Sequence, residues 1–361
     1  MKSRIEGVYD WVQEDLDAIV ILNSVKPHVD KTFFYLTGLL DGLFENCGLI
    51  AYPDNTAELC TSKLEADSAK KADMSIKVME DREELQEWLE QNLSDMDKIG
   101  VNASELTYRA FNKIDDATDA EIIDISDAIV EARNRKDDTE IEILNEAGDI
   151  ASEVAEEITE HIQVGMKEYE IAAEISYMMK KRGATGDAFE VIAGSGPNSA
   201  EPHYTAGERE IQRGDFLVLD FGALYKRYRS DITRTYIIEE ASDKQKRIYE
   251  TVLEAQKVAL EKIEPGVEGS KVHNAAKEVI DSTEFEGKFI HGLGHSIGLS
   301  THDGSGLSPN VDVELEPGMV FTVEPGIYLS GYGGVRIEDD IVVTEDGYEM
   351  LTNADKEMKV L

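Results

Sequence analysis

Between Arg213 and Asp340 the chain carries one pattern twice, and this repetition limits its possible folds more than any other feature. Arg213-Gly-Asp-Phe-Leu-Val-Leu-Asp220-Phe-Gly-Ala-Leu-Tyr225 corresponds to Pro317-Gly-Met-Val-Phe-Thr-Val-Glu324-Pro-Gly-Ile-Tyr328, with Asp220 and Glu324 in register 104 positions apart. A helix-to-turn stretch precedes each, Ile162-Gln-Val-Gly-Met-Lys-Glu-Tyr-Glu-Ile171 and Ile263-Glu-Pro-Gly-Val-Glu-Gly-Ser-Lys-Val272. Each pattern ends on a returning strand with a further acid, Asp231 in Ser-Asp-Ile-Thr-Arg and Glu338 in Arg-Ile-Glu-Asp-Asp. Internal similarity of this kind marks a structural unit used twice. The chain is therefore expected to build two matching hairpins, each offering two carboxylates.

The chemistry follows from where these acids fall. Asp220 closes the run Phe216-Leu-Val-Leu219 and Glu324 closes Met319-Val-Phe-Thr-Val323, and both runs read as core strands. An ionised carboxylate there is costly unless a cation meets it, and four converging carboxylates repel one another. Any one of them alone reads as a strand end facing solvent, whereas four in register call for positive charge between them. Arg or Lys could supply it. A dinuclear metal site suits the pattern better, since carboxylates can bridge two divalent ions ~3.5–4 Å apart and duplicated hairpins place them symmetrically.

Three of the seven histidines lie in His291-Gly-Leu-Gly-His295-Ser-Ile-Gly-Leu-Ser-Thr-His302, whose glycines permit close backbone approach. One such histidine alone would read as a hydrogen-bonded structural residue, but a cluster beside four acids points to ligand or proton-transfer roles. One imidazole with four carboxylates is an oxygen-rich set, which favours manganese, cobalt or ferrous iron over a thiolate-type zinc site, with zinc remaining open. The helical His-Glu-x-x-His arrangement of mononuclear zinc proteases is missing.

The first 130 residues alternate short apolar runs such as Asp17-Ala-Ile-Val-Ile-Leu22 with acidic amphipathic stretches such as Asp81 to Asn92, which predicts a small α/β domain over residues 1–130. Gly38, Gly42 and Gly48 form no phosphate-loop spacing and read as turn glycines. From Glu131 a long helix is expected, with Ile141, Leu144, Ala147, Ala151, Val154, Ile158 and Ile162 at helical spacing, and it opens a second domain over residues 131–361. The 361 residues hold 36 Lys plus Arg against 75 Asp plus Glu, a net charge of −39, which argues against nucleic-acid and anionic-membrane partners. Such an excess suits a salt-rich, halophilic cytoplasm, with an ordinary acidic soluble enzyme as the alternative. Cys47 and Cys60 give no disulfide framework and read as buried thiols in a reducing cytosol. Met1 to Asp10 lacks a signal-peptide core, and no run nears the ~18 apolar residues that span a bilayer, so a soluble cytoplasmic protein is expected.

The ordered set Asp220, Asp231, His295, Glu324 and Glu338, within Val-Leu-Asp-Phe-Gly, Ser-Asp-Ile-Thr-Arg-Thr, His-Gly-Leu-Gly-His, Thr-Val-Glu-Pro-Gly and Val-Arg-Ile-Glu-Asp, resembles the pita-bread metallopeptidases. It is most similar to their Xaa-Pro branch, prolidase and aminopeptidase P, because of Arg336-Ile-Glu-Asp and the extra N-terminal domain. The resemblance implies a mixed α/β (α+β) fold: a smaller creatinase-like α/β domain, then a pita-bread catalytic domain of pseudo-two-fold duplicated halves. It implies hydrolysis of the Xaa-Pro bond at the N-terminus of dipeptides or short peptides, and a homodimer. By the same resemblance Asp220 chelates one divalent ion, His295 and Glu324 bind the other, and Asp231 and Glu338 bridge or share them. A hydroxide between the ions is then the nucleophile.

Also by resemblance, Glu324 relays a proton, His203 and His302 contact substrate and stabilise the tetrahedral intermediate, and His291 and Arg336 shape the substrate site. Arg336 alternatively just neutralises nearby acids. Manganese or cobalt leads the metal choice, with zinc or iron as alternatives. Where the family usually shows His-Glu followed shortly by Pro-Arg, this chain has His302-Asp303-Gly-Ser305-Gly306. The missing arginine leaves dipeptides and longer Xaa-Pro peptides both open. Two other readings are a non-catalytic peptide-binding module and an aminopeptidase of the same fold with another specificity.

Overall fold

The computed structural model describes residues 3–81, 83–311 and 313–361. The chain divides into two compact units, Met1–Arg133 and Asn134–Leu361.

Among the described residues the first unit builds a six-stranded sheet from β1 (Ala18–Leu22), β2 (Gly48–Ala51), β3 (Ala57–Ser62), β4 (Ser75–Met79), β5 (Lys98–Val101) and β6 (Glu121–Asp124). The order is β4-β3-β2-β1-β5-β6. β1 is buried throughout, as its uninterrupted apolar run requires. Helices α1 (Arg4–Tyr9), α2 (Lys31–Thr37), α3 (Ala66–Ala69), α4 (Glu84–Leu93), α5 (Tyr108–Asp115) and α6 (Ser126–Asn134) alternate with the strands. The acidic stretch read as amphipathic forms most of α4, which buries Leu85, Trp88, Leu89 and Leu93. Gly38 and Gly42 are turn glycines at φ 67° and 87°. Gly48 is not: it opens β2, and a Cβ there would lie 2.7 Å from the Trp88 ring. Cys47 and Cys60 are buried free thiols.

The second unit uses one arrangement twice. In the first copy α7 (Asp138–Glu157) and α8 (Glu168–Lys181) precede β7 (Gly186–Asp187), β8 (Ile192–Ser195), β9 (Phe216–Phe221), β10 (Ala223–Tyr225), β11 (Tyr228–Arg229) and β12 (Ile232–Ile237). In the second, α9 (Asp243–Leu260) and α10 (Gly269–Asp281) precede β13 (Gly294–His295), β14 (Gly306–Leu307), β15 (Val320–Val323), β16 (Gly326–Leu329), β17 (Gly333–Arg336), β18 (Asp339–Thr344) and β19 (Gly347–Met350). α7 and α9 both open on capping boxes, Asp137 with Glu140 and Ser242 with Gln245. The loops that follow them pair alike: Gly165 N–H donates to Ile211 O and Ile211 N–H to Met166 O, as Gly266 N–H does to Leu315 O and Leu315 N–H to Val267 O. These are the duplicated halves that the resemblance implies. The helical period read to Ile162 overshoots, because α7 ends at Glu157, tightens into a 3-10 turn at Ile158–Glu160 and leaves Ile162 in the pairing loop.

Each expected hairpin is broken in the middle. β9 passes through Gly222 into β10, which pairs with β11 before the chain returns in β12; β15 passes through Pro325 into β16, which pairs with β17 before β18. At the first break a Cβ on Gly222 would sit 1.7 Å from Ser230 O, so only glycine admits the crossing strand. The four acids lie at these breaks. The two-residue period then decides which way they point. Leu217, Leu219 and Phe221 pack with Val154, Ile171 and Ile175, while Phe321, Val323, Ile341 and Val343 pack with Val252, Val272 and Ala276. Asp220, Glu324 and Glu338 are in the opposite phase to these helix-packed residues. Among the described residues no helix is long and apolar enough to cross a membrane.

Candidate metal centre

A direct seam joins the two copies. Thr233 of β12 bridges to Glu338: Glu338 N–H donates to Thr233 O at 3.1 Å, Thr233 Oγ1 donates to Glu338 Oε2 at 2.5 Å, and Arg234 Nη1 donates to Glu338 O at 2.6 Å. His295 arrives from β13, which lies so close to β15 that a Cβ on Gly294 would be 1.9 Å from Thr322 O. Its N–H donates to Thr322 Oγ1 at 3.1 Å, which in turn donates to Glu324 Oε1 at 3.3 Å.

These contacts surround a cavity of about 640 Å³ whose lining includes Asp220, Asp231, His295, Glu324 and Glu338, together with His203, His291, His302 and Arg336. All nine residues singled out in the sequence therefore meet at one place. Ligand atoms of Asp231, His295 and Glu338 lie within 4.8 Å of one another.

Burial, then the charges of neighbouring acids, drives the Asp231 and Glu338 carboxyls well above their ordinary range. Burial likewise pushes Glu324 up to about 8, with Arg336 pulling it down and Asp220 pushing it up. His295 is lowered to about 4, first by burial and then by His302, whose ring centroid is 4.2 Å away, so its imidazole is neutral at pH 7. Its Nδ1 faces Ser296 O at 3.2 Å and must carry the proton. The bare Nε2 lone pair then looks at Asp231 Oδ2 and Glu324 Oε1, both 3.7 Å away. A lone pair facing carboxylates is no ion pair, and this arrangement suits a shared cation. Asp220 Oδ1 and Asp231 Oδ1 are also buried without a hydrogen-bond partner. Oxygen and nitrogen donors aimed at one another, with orphaned lone pairs, fit divalent cations.

A second layer holds the donors in place. Arg336 Nη2 pairs with Asp220 Oδ2, its Nη1 donates to Tyr328 Oη at 2.9 Å and its Nε to Thr233 Oγ1 at 3.1 Å. His291 is lowered to about 4 by burial and then by Arg336. Its Nδ1–H donates to Gly292 O at 2.7 Å, so its Nε2 accepts from Tyr328 Oη at 2.9 Å. Burial pushes the Tyr328 phenol up to about 12, which keeps that proton in place. Asp231 N–H donates to Asp340 Oδ2 at 2.7 Å. Sequence reasoning missed Tyr328, Thr233 and Asp340 as members of the site. Tyr328 closes the repeated pattern, and Asp340 falls two residues after Glu338 on the same strand face, so both carried a readable signal.

Comparison with known proteins fits this geometry. Residues 142–345 match the model of metallopeptidase family M24, and residues 4–135 match the creatinase/prolidase N-terminal domain. The chain is 36% identical to the Xaa-Pro dipeptidase of Pyrococcus furiosus over 361 residues, 99% of this chain and 100% of that protein. Among solved structures, an Xaa-Pro dipeptidase from Bacillus anthracis superposes with a TM-score of 0.91 at 37% identity, covering 99% of both chains. An X-Pro aminopeptidase from Thermotoga maritima superposes with a TM-score of 0.89 at 35% identity, covering 96% of this chain and 98% of that one. With its five donors converging in one cavity of a duplicated fold, the chain belongs to metallopeptidase family M24 and carries that family's creatinase/prolidase N-terminal domain.

Proposed function

We propose that this protein is a metal-dependent exopeptidase that hydrolyses the Xaa-Pro bond at the N-terminus of dipeptides and short peptides. The observation that carries this reading is the neutral His295 Nε2 turned towards Asp231 and Glu324 inside the cavity that all nine candidates line. Asp220, Asp231, His295, Glu324 and Glu338 would hold two divalent ions, with Asp231 and Glu338 shared between them. One imidazole among four carboxylates supports manganese or cobalt ahead of zinc or iron. What bound ions supply is Lewis acidity, which lowers the pKa of water from 15.7 towards ~7 and neutralises charge at the scissile carbonyl.

The chain's own groups do the rest. Glu324 takes up a proton and delivers it to the leaving proline nitrogen. His302, whose pKa burial lowers, and His203 donate to the scissile carbonyl oxygen as it gains charge. His291 and Arg336, joined through Tyr328, shape the substrate wall. Phe189, Ile192 and Pro202 supply apolar surface for a ring on the substrate nitrogen. An Xaa-Pro bond lacks the amide hydrogen that general peptidases use, so a fitted wall replaces that contact. Among the described residues lining the cavity, Arg336 is the one arginine or lysine, and Asp220 and Tyr328 engage it. A free carboxylate on proline meets no other guanidinium there, which supports acceptance of Xaa-Pro-Yaa peptides beside dipeptides.

A homodimer in a salt-rich cytoplasm completes the reading. Exposed Leu43 and Leu64 line one concavity of the first unit and offer apolar surface to a second copy. The free thiols of Cys47 and Cys60 suit a reducing compartment.

Three measurements test these statements. Changes beyond the coordination shell typically cost ~10–100-fold, so Asp231→Asn and His295→Ala, which remove ligands, are expected to lower kcat/KM on an Ala-Pro dipeptide and an Ala-Pro-Ala tripeptide by more than about 100-fold. Near-wild-type rates in either variant, or faster cleavage of Met-Ala than of both proline peptides, would refute the reading. The second concerns pH. Glu324 is raised from 4.5 to about 8 in the fold, so between those values the metal-free folded state binds more protons than the unfolded one, and stability falls as pH rises through the window. The loss is on the order of 5 kcal/mol from this group. Thermal unfolding of chelated protein should show Tm dropping from pH 5 to pH 8, and divalent ions should restore it most at pH 8; a flat metal-free profile would contradict the buried-acid description. Third, with net charge −39 the fold should weaken as salt drops below molar levels, and an unchanged Tm in dilute buffer would remove the halophilic assignment alone.

A further inference from the structure

Glu168 is the first residue of α8, fully buried, and among the described residues it makes no ion pair. Its carboxylate is nevertheless saturated. Oε1 accepts from Ser195 N at 2.8 Å, Ser195 Oγ at 2.6 Å and Asn198 Nδ2 at 3.0 Å. Oε2 accepts from Tyr204 Oη at 2.8 Å, Asn198 Nδ2 at 3.2 Å and Gly207 N at 3.3 Å. The backbone of the same helix turn adds two bonds, Glu168 N–H to Arg209 O and Tyr169 N–H to Gly207 O. Such a carboxylate is well placed at a helix N-terminus, where the peptide dipoles favour negative charge.

Every one of these partners lies between Ser195 and Arg209, the segment that brings Pro202, His203, Tyr204 and Thr205 to the cavity wall. Glu168 stands behind that wall and is not among the lining residues. On the cavity side the same segment is held by Arg336 Nη2, 3.4 Å from Pro202 O, and by Gly334 N–H, which donates to Ser199 Oγ at 2.9 Å. The wall bearing His203 is thus gripped from front and back by two buried charges of opposite sign.

The duplication shows that this grip is particular to the first copy. Ser195 pairs with Leu217 and Ser296 bridges to Phe321, equivalent places in the repeat. The residue of α10 that corresponds to Glu168 is Gly269, which has no side chain to offer. There, Ser296 Oγ accepts instead from Lys136 Nζ at 3.0 Å.

We propose that Glu168 is a positioning residue that fixes the His203-bearing wall and so sets affinity for the proline peptide, while leaving the metal ligands untouched. This rests on the reading that His203 contacts substrate. Glu168→Gln replaces one acceptor oxygen with an amide that faces donors, and is expected to raise KM for Ala-Pro-Ala about 10-fold or more, with kcat within about three-fold and the bound metal per chain unchanged. Tyr204→Phe removes a single hydroxyl, should raise KM by a smaller factor, and serves if the Gln variant does not fold. In a His203→Ala background both changes should add little, because the group they position is gone. Unchanged KM in both variants, loss of bound metal with a parallel fall in kcat, or full additivity with His203→Ala would overturn the proposal. If His203→Ala by itself leaves KM and kcat as they were, the substrate-contact reading of His203 fails, whichever way the Glu168 variant behaves.

Discussion

A buried carboxylate stays ionised only beside positive charge or within a full set of hydrogen bonds, and around one cavity this chain buries Asp220, Asp231 and Glu338 and half-buries Glu324, with Arg336 as the one guanidinium among the described lining residues. Arg336 answers for Asp220. Asp231, Glu324 and Glu338 keep raised pKa values, and His295 turns a bare lone pair towards two of their oxygens. The cavity is left short of positive charge, and family M24 membership implies that divalent cations supply it. Much of the surrounding architecture makes sense as a means of bringing those donors together and holding them there against their mutual repulsion.

Duplication provides the placement and broken strands provide the aim. Each long strand keeps its apolar phase against a helix pair, and the break that follows lets an acid end its ladder on the opposite face. Behind the seam sits a buried ionic core: Arg234 pairs with Asp339 at 2.7 Å, and Asp339 also receives Lys356 at 2.9 Å and Gln256 Nε2 at 2.9 Å. Unlike the cavity, this cluster is internally paired. It holds the backbone of Glu338 through Arg234 and lies on the helix side of the sheet, where charge can be closed off completely. The contrast between satisfied charge behind the strands and unsatisfied charge in front separates support from chemistry.

Much of this was legible in the residues. Four acids in register within apolar runs, and three histidines within twelve positions, pointed to seven of the lining residues without any tertiary contact, whereas His203 and Arg336 came from the family resemblance alone. The breaks were not legible, since nothing around Gly222 and Pro325 in the sequence announces the strands that cross there. The span of α7 was overread because Ile158 and Ile162 keep the period while the backbone has already tightened. Gly48 was misread because its role, making room for Trp88 forty residues on, is a packing fact with no local trace. Thr233 and Glu168 act through hydrogen bonds across 27 to 105 residues of sequence separation, and a single chain gives no means of pairing such positions in advance.

Closure of the five donors around a pair of cations is open to direct observation. Anomalous diffraction from crystals grown with manganese tests it most directly. Two peaks ~3.5–4 Å apart are expected, one within reach of Asp220, the other of His295 and Glu324, and both of Asp231 and Glu338. A single peak, or manganese bound away from these side chains with the cavity otherwise intact, would contradict it.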